Sequence, residues 1–300
     1  IFILGITSLV YTQQDDSIDV TFYYYPNDNP NTVYLRGEFN GWSLDDPMMF
    51  DQGSASWFKT IRLREGGPDP LPGPFSIPGA YQYKFFVDGV WLPDPLNPRK
   101  NPNDNDNSYL FLRNPTIHLM LPNSTPSSGI IRTRFPEIKA FIYPSISSEI
   151  DTSTIVISID GEEFTNIGSS YNNQTKKLNF SIPEPLGNGE HEMILSVQSN
   201  IGTTNADTTT FNVQADVIQY LTLSANTWKS TWRLQGAIFN DTGGFDTTVT
   251  SAQIIRFDST WNVQVENGKI DTSIHLLEGD NYFQLQAEVG GQTEISDSLL

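Results

Sequence analysis

Cysteine is absent from this 300-residue chain, and basic residues are scarce. Without a thiol, the fold can contain neither a disulfide nor a thiolate metal site. Lys and Arg number 17 against 35 Asp and Glu, which gives a formal net charge of −18 at pH 7. Because phosphate recognition requires clustered cations, this composition disfavours nucleic acid and anionic membranes as partners. An uncharged polymer is compatible with it.

Long hydrophobic runs are absent too, apart from a short one where the chain begins. Residues 1–11 are mostly apolar, and the sequence turns polar at Gln13. This run is too short to span a bilayer, and it is typical of the h-region and cleavage zone of a secretory signal. We therefore predict a partial signal peptide at residues 1–14, in preference to a first strand, and a secreted, periplasmic or cell-surface protein. The missing initiating Met predicts a longer reading frame.

Helical periodicity is missing as well, and alternation with period two takes its place. Apolar and polar residues alternate from Val20 to Tyr24, and apolar residues recur at every second position from Tyr81 to Val87. Such alternation is typical of half-buried antiparallel strands. About seven short strands in each 100 residues is the pattern of an immunoglobulin-like sandwich. The sequence thus predicts an all-β protein made of tandem antiparallel β-sandwiches of early-set or immunoglobulin-like type.

Breaks in the alternation divide the chain after the leading segment into three units. The first sandwich is predicted for residues 17–113, because Asn114-Pro115 opens a new unit. The second is predicted for residues 114–215 and the third for residues 216–300. The sequence leaves open whether the third unit is truncated. Inside the first unit, the Pro- and Gly-rich residues 66–79 predict a long irregular loop.

Two tryptophans accompany tight-turn signals in the first unit. Trp42 follows Asn40-Gly41 directly, and Trp91 comes two residues after Asp88-Gly89. Asn-Gly and Asp-Gly tolerate positive φ, so we predict both rings at turns on the surface rather than in the core. Two exposed indoles could stack on the C–H faces of a sugar while polar neighbours bind its hydroxyls. The alternative is an aromatic wedge that packs the unit against a neighbour.

Several segments of the first unit together carry a family resemblance. Residues 33–42 read VYLRGEFNGW and residues 79–91 read GAYQYKFFVDGVW, followed by Asp94-Pro95 and the closing residues 107–110. These segments resemble carbohydrate-binding module family 48, which includes the glycogen-binding domain of the AMP-activated kinase β subunit. The resemblance covers about a third of the chain. It implies a starch- or glycogen-binding sandwich.

The same resemblance implies which residues contact the sugar. Its contacts fall on Trp42, Lys84, Trp91 and Asn107, with Asn105 as a further polar contact. An ammonium and an amide can hydrogen-bond hydroxyls and fix the orientation of a stacked ring. Lys84 could instead be a solvated strand lysine and Asn107 a turn residue.

The sequence predicts no catalysis within these 300 residues. The Asn- and Asp-rich residues 101–107 lack the Gly and the distal Glu of an EF-hand loop, and the three histidines are isolated, so we expect neither a metal nor a cofactor. A (β/α)₈ catalytic barrel takes about 250 residues, and the three predicted sandwiches already occupy most of this chain. The family that the first unit resembles also includes modules that precede the barrel in branching enzymes, isoamylases and related members of the α-amylase superfamily.

Two hypotheses of function follow. In the first, this region binds an α-glucan and tethers a C-terminal α-amylase-superfamily glycoside hydrolase of the same polypeptide to its polymer; whether the parent is an enzyme stays open. In the second, the chain is a multi-sandwich structural or adhesion protein without glucan binding. An intracellular regulatory subunit is disfavoured by the signal-like segment.

Overall fold

Strands make up nearly all regular structure in the computed structural model, which describes residues 16–300 apart from 223, 225, 226, 228 and 258. The only helices among these described residues are two single-turn 3₁₀ helices, Glu38–Asn40 and Gly168–Ser170. None is long and apolar enough to cross a membrane. The predicted all-β class with several antiparallel sheets is confirmed. The predicted signal segment, residues 1–14, lies outside the described residues.

Two sheets form the first sandwich. Their strands are β1 (Ser17–Tyr24), β2 (Val33–Gly37), β3 (Met49–Asp51), β4 (Ser56–Arg64), β5 (Ala80–Val87), β6 (Val90–Leu92), β7 (Lys100–Asn101) and β8 (Asn107–Phe111). One sheet has the order β1-β4-β3. The other has the order β2-β5-β8-β7, with β6 paired to β5. Strand β5 is therefore the centre of the second sheet.

The core of the first sandwich lies between these sheets. Alternate residues of β1 are fully buried, as the period of two requires, and Tyr83 and Phe85 of β5 meet them from the other sheet. The same core cluster takes in three residues from further along the chain. These are Leu119, Phe141 and Tyr143.

The rest of the chain forms four more sheets. The next strands are β9 (Thr116–Leu121), β10 (Ile130–Ile131), β11 (Glu137–Tyr143), β12 (Ile150–Ile159), β13 (Glu162–Phe164), β14 (Tyr171–Asn172), β15 (Lys177–Ser181), β16 (Gly189–Ser199) and β17 (Thr204–Val213). They form the orders β14-β15-β11-β9 and β10-β17-β16-β12-β13. The short pair β10–β17 is parallel, an exception to the antiparallel pattern.

The last strands are β18 (Ile218–Tyr220), β19 (Thr231–Ile238), β20 (Ser251–Arg256), β21 (Ser259–Gln264), β22 (Lys269–His275), β23 (Gln284–Val289) and β24 (Gln292–Ile295). Their sheets have the orders β18-β19-β22 and β21-β20-β23-β24. Both sheets contribute to one apolar cluster, in which Leu234 and Leu285 are almost completely buried. This arrangement is again a sandwich.

By backbone contacts the chain divides into two compact units. One holds the residues up to Met120 together with Lys139–Asn179 and Ile194–Thr208, and the other holds Leu121–Ile138, Phe180–Met193 and Thr209–Leu300. The predicted domain boundaries at 113/114 and 215/216 stay predictions.

Within the first of these units, the first sandwich is tied to the strands that follow it. The Tyr143 hydroxyl donates to the Thr21 carbonyl at 3.0 Å, and the Ile146 N–H donates to the Ser17 carbonyl at 2.8 Å. The Asn114 side chain bonds Ser145 through both its amide nitrogen and its oxygen. These bonds fix β1 against the chain that leaves the first sandwich.

His118 lies in this contact region and is buried without a hydrogen bond to Nε2 among the described residues. Its ring centroid is 5.6 Å from that of Phe22 and 6.5 Å from that of Tyr83. Burial, with a smaller contribution from the positive charge of Arg99, lowers the pKa of His118 from 6.5 to about 3. The imidazole is therefore neutral in the folded protein.

Replacing His118 tests this burial. Between pH 6.5 and about 3 the unfolded chain binds a proton on His118 that the folded chain does not, so acid lowers the stability. Relative to His118→Gln, the wild-type free energy of unfolding should fall by about 1.4 kcal/mol per pH unit in this window. Urea denaturation at several pH values measures it. A pH-independent difference between the two proteins would contradict the buried, neutral histidine.

Candidate functional site

The side of the β2-β5-β8-β7 sheet that faces away from the core carries the sequence-predicted residues, and we call it the outer face. Tyr83 and Phe85 point into the core, so the alternate residues of β5 point the other way. Directly opposite residues of antiparallel strands share a face. The pairings of β5 with β2, β6 and β8, and of β7 with β8, therefore show which residues of the neighbouring strands lie on the outer face. The outer face comprises Tyr34, Arg36, Gln82, Lys84, Phe86, Trp91, Asn101, Asn107 and Tyr109.

Trp42 reaches this face from a tight turn that side chains hold in place. Asn40 accepts the Gly37 N–H at 3.0 Å and donates to the Leu35 carbonyl at 3.0 Å and to Asp46 at 2.8 Å. The chain then takes two left-handed residues, Gly41 at φ 59° and Trp42 at φ 63°. Positive φ is unfavourable for a bulky residue, so this turn needs external support.

Arg36 supplies that support. Its guanidinium donates from Nε to the Trp42 carbonyl at 2.6 Å, and a second guanidinium N–H bonds the same oxygen. The guanidinium carbon lies 4.1 Å from the Trp91 ring centroid and 5.1 Å from that of Phe86. One cation therefore fixes the backbone of one tryptophan and stacks on the ring of the other.

The two tryptophans meet, although 49 positions separate them in the sequence. Their ring centroids are 6.0 Å apart at an interplanar angle of 59°. Trp91 is 41% exposed, and Trp42 is half-buried. The pair forms an angled aromatic surface instead of a flat stack.

Trp91 does not sit on a turn, which corrects the sequence-based expectation. The turn is Asp88-Gly89, at φ 46° and 90°, and it is a two-residue hairpin loop joining β5 to β6. Trp91 is the middle residue of β6 and pairs with Phe86. The Asp88 carboxylate accepts the N–H groups of Asn31 and Thr32, which hold the pKa of Asp88 below its usual value.

Lys84 lies opposite Arg36 and is only 8% exposed. Its ammonium donates to the backbone carbonyl of Asn105, in the loop that covers this part of the sheet. The alternative of a solvated strand lysine is therefore wrong. Asn105 itself is exposed, at φ 51°, and its amide contacts Asp104 at 3.4 Å. The structure thus places its carbonyl on Lys84 and leaves its side chain at the loop surface.

Asn107 is the first residue of β8 and is 6% exposed. It pairs with Asn101, and the β5–β8 register that joins Tyr83 to Ser108 puts Lys84 next to it. Among the described residues, none forms a hydrogen bond with the Asn107 side-chain amide. The Asn107 amide is not among the fully buried, unbonded polar atoms of the described residues, so water or a ligand can reach it and satisfy it.

Sequence reasoning missed three residues around this site. Arg36 holds both tryptophans, and Asn101 and Gln82 bond each other at 2.8 Å beside Asn107. Arg36 and Lys84 are like-charged neighbours that become visible only through the β2–β5 register. One signal in the sequence pointed to Arg36: it follows the core residue Leu35 in β2, so strand alternation places it on the opposite face.

The chemistry of this arrangement is that of binding. It offers angled aromatic rings, an ammonium and an unpartnered amide, which match a ligand with apolar faces and hydroxyl edges. The buried carboxylate nearby, Asp94, accepts the Tyr83 hydroxyl at 2.7 Å and the Leu96 N–H at 2.9 Å, and burial raises its pKa. Within the described residues, no group of three or more His, Asp and Glu side chains is placed to hold a metal ion.

Two curated proteins each match about 90 residues of the chain. The chain is 33% identical over 91 residues to Protein FLOURY ENDOSPERM 6, chloroplastic, of Oryza sativa subsp. japonica, covering 30% of this chain and 14% of that protein. It is 30% identical over 89 residues to 5'-AMP-activated protein kinase subunit beta-2 of Rattus norvegicus, covering 28% and 27%. At this low identity and coverage, the matches support a domain like carbohydrate-binding module family 48.

The chain spans well under a third of the length of these relatives, and no family model matches it. Solved structures share only a loose likeness. Latent PorU from Porphyromonas gingivalis aligns at a TM-score of 0.30 and 12% identity, over 94% of this chain and 29% of that chain. SGBP-B from the Bacteroides ovatus mixed-linkage glucan utilization locus aligns at 0.24 and 16%, over 62% and 47%.

An Arg36→Met variant tests the support of the two indoles. Losing the cation–π contact and the bonds to the Trp42 carbonyl should lower the free energy of unfolding by about 1–2 kcal/mol. It should also weaken the exciton signal that two tilted, neighbouring indoles give in circular dichroism. Arg62→Met is the matched control, since the Arg62 guanidinium forms a solvent-accessible ion pair with Asp19 on the other sheet and contacts neither indole. An unchanged exciton signal in Arg36→Met would refute this role.

Proposed function

We propose that the outer face binds an α-glucan such as starch or glycogen. The observation that carries this proposal is the pairing of Trp42 and Trp91, 6.0 Å apart beside the buried Lys84 and Asn107. A sugar ring stacks on an indole through its C–H face and presents its hydroxyls sideways. Trp91 keeps 41% of its surface exposed, so its ring is open to a ligand in the part of the chain that the structure describes.

Polar groups beside the indoles support hydroxyl recognition. An ammonium has three N–H donors. Lys84 uses one of them for the Asn105 carbonyl, its only hydrogen bond among the described residues, so two donors remain for a ligand. The Asn107 amide has both a donor and an acceptor to offer. Since both groups are largely buried already, a sugar hydroxyl would meet them with little loss of side-chain entropy.

The choice of an α-glucan rests on sequence similarity and on charge. The residues of the site lie in the segments that resemble carbohydrate-binding module family 48, and the matched relatives support a domain of that kind. A net charge of −18 favours an uncharged ligand over a phosphate or an acidic polysaccharide.

The role that follows from such binding is tethering. A secreted α-amylase-superfamily glycoside hydrolase in the same polypeptide would be held near its polymer, which raises the effective substrate concentration at its active site. The region itself would then act as a non-catalytic anchor.

Affinity electrophoresis in a gel containing amylopectin tests glucan binding directly. The wild-type chain should be retarded, and Trp42→Ala or Trp91→Ala should each weaken binding by about 1–3 kcal/mol, or about 5- to 150-fold. The double variant should migrate as in a gel without polysaccharide. Trp261→Ala, which removes an indole of β21, serves as the control and should keep its retardation. Unretarded wild-type protein would refute the proposal.

Asn107→Leu separates a binding role from a structural one. Because the amide has no partner among the described residues, an apolar residue of similar size should leave the free energy of unfolding unchanged or slightly higher. Binding of maltoheptaose should weaken by about 1–3 kcal/mol, since the lost amide no longer meets a hydroxyl. Urea denaturation and isothermal titration calorimetry measure the two effects. Lower stability with unchanged affinity would make Asn107 a structural residue.

A further inference from the structure

We propose that the insertion loop, residues 66–79, extends the glucan-binding surface through Phe75, so that the site takes a longer segment of the polymer than the two indoles cover. This inference rests on the proposed function and concerns a part of the chain outside the resembling motifs. The loop interrupts the sequence between β4 and β5 and returns to the outer face at the start of β5.

The backbone of Phe75 is pinned to the outer face. Its carbonyl accepts the Asn101 amide at 2.9 Å and the Gln82 amide at 3.1 Å. Asn101 and Gln82 are 6% and 1% exposed. Two buried side chains of the sheet are therefore committed to holding this one loop residue.

A second set of bonds holds the next residue. The Ser76 hydroxyl donates to the Glu38 carboxylate and accepts the Gly73 N–H at 3.0 Å. The same carboxylate accepts the Gln82 backbone N–H at 2.8 Å. Glu38 follows β2 directly, in the turn that leads to Trp42. The loop and the first tryptophan are thus anchored to the same short segment.

Despite these anchors two large apolar side chains of the loop face solvent. Phe75 is 53% exposed and Leu71 is 45% exposed. An ordered backbone that presents an uncovered aromatic residue has already lost its conformational entropy without burying the ring. A ligand that covers the Phe75 ring would therefore gain the free energy of burying apolar surface, with little further loss of conformational entropy.

The position of the loop along β5 sets the length of the site. Phe86 pairs with Trp91, whereas Gln82 holds Phe75, and Lys84 with its neighbour Asn107 lies between them. Gln82 lies four positions before Phe86 along β5, a distance of about 13 Å. An oligosaccharide that stacks on the indoles must extend over this further distance, past Lys84, to reach Phe75. A short oligosaccharide held by the indoles therefore does not contact Phe75.

Calorimetric titration of the full chain with maltotriose and with maltoheptaose tests the extension. We expect Phe75→Ala to weaken maltoheptaose binding about tenfold and to change maltotriose binding less than about twofold. Phe75→Tyr, which keeps an aromatic ring, should retain most of the wild-type affinity for maltoheptaose. Phe257→Ala removes another exposed phenylalanine, 63% accessible and outside the first sandwich, and should bind both sugars like the wild type.

Three outcomes would overturn the extension while leaving the proposed function intact. These are equal losses for both sugars, no loss for either, and a gain in affinity, which would mean that the loop shields the site. In each case binding would still depend on Trp42 and Trp91. If the wild type bound neither sugar, the proposed function itself would fail, and the extension with it.

Discussion

Strand β5 is the constraint on which the first sandwich depends, because both of its faces are covered. Tyr83 and Phe85 fill the core on one side, and Gln82 and Lys84 are buried under loops on the other. A polar group in such a position is costly unless it is bonded. Gln82 is met by the Phe75 carbonyl and by Asn101, and Lys84 by the Asn105 carbonyl. The loops over the outer face are therefore fixed by the polar residues beneath them.

Arg36 couples this sheet to the tryptophan turn. A left-handed Trp42 costs about 1 kcal/mol or more, and the guanidinium offsets that cost by bonding its carbonyl. The same planar group lies over Trp91, which a lysine could not do with comparable geometry. One side chain, held opposite Lys84 by the β2–β5 register, thus contacts both the Trp42 backbone and the Trp91 ring.

More of the fold than of the candidate site could be predicted from the sequence. Alternation in β1 and β5 was enough to predict the strands, because side chains that face the apolar core recur at every second position. The Asp88-Gly89 turn was also visible in the sequence, and a two-residue hairpin loop at this turn places Trp91 opposite Phe86 in a strand instead of on the turn. The burial of Lys84 and the open amide of Asn107 could not be predicted, since both depend on how residues 101–107 fold over the sheet and on Asn101 bonding elsewhere.

The core of the first sandwich is not closed by its own strands alone. Phe141 stacks on Tyr23 at 4.7 Å, Tyr143 belongs to the same apolar cluster, and His118 packs against Phe22. A segment cut after β8 would leave these contacts empty and apolar surface open to water. The β2-β5-β8-β7 sheet therefore depends on these later residues for a closed core. Transferring this sheet to another protein requires the strands that follow it through β11, because these supply the residues that complete its core. An evolutionary exchange between proteins would likewise have to transfer the first sandwich together with these strands.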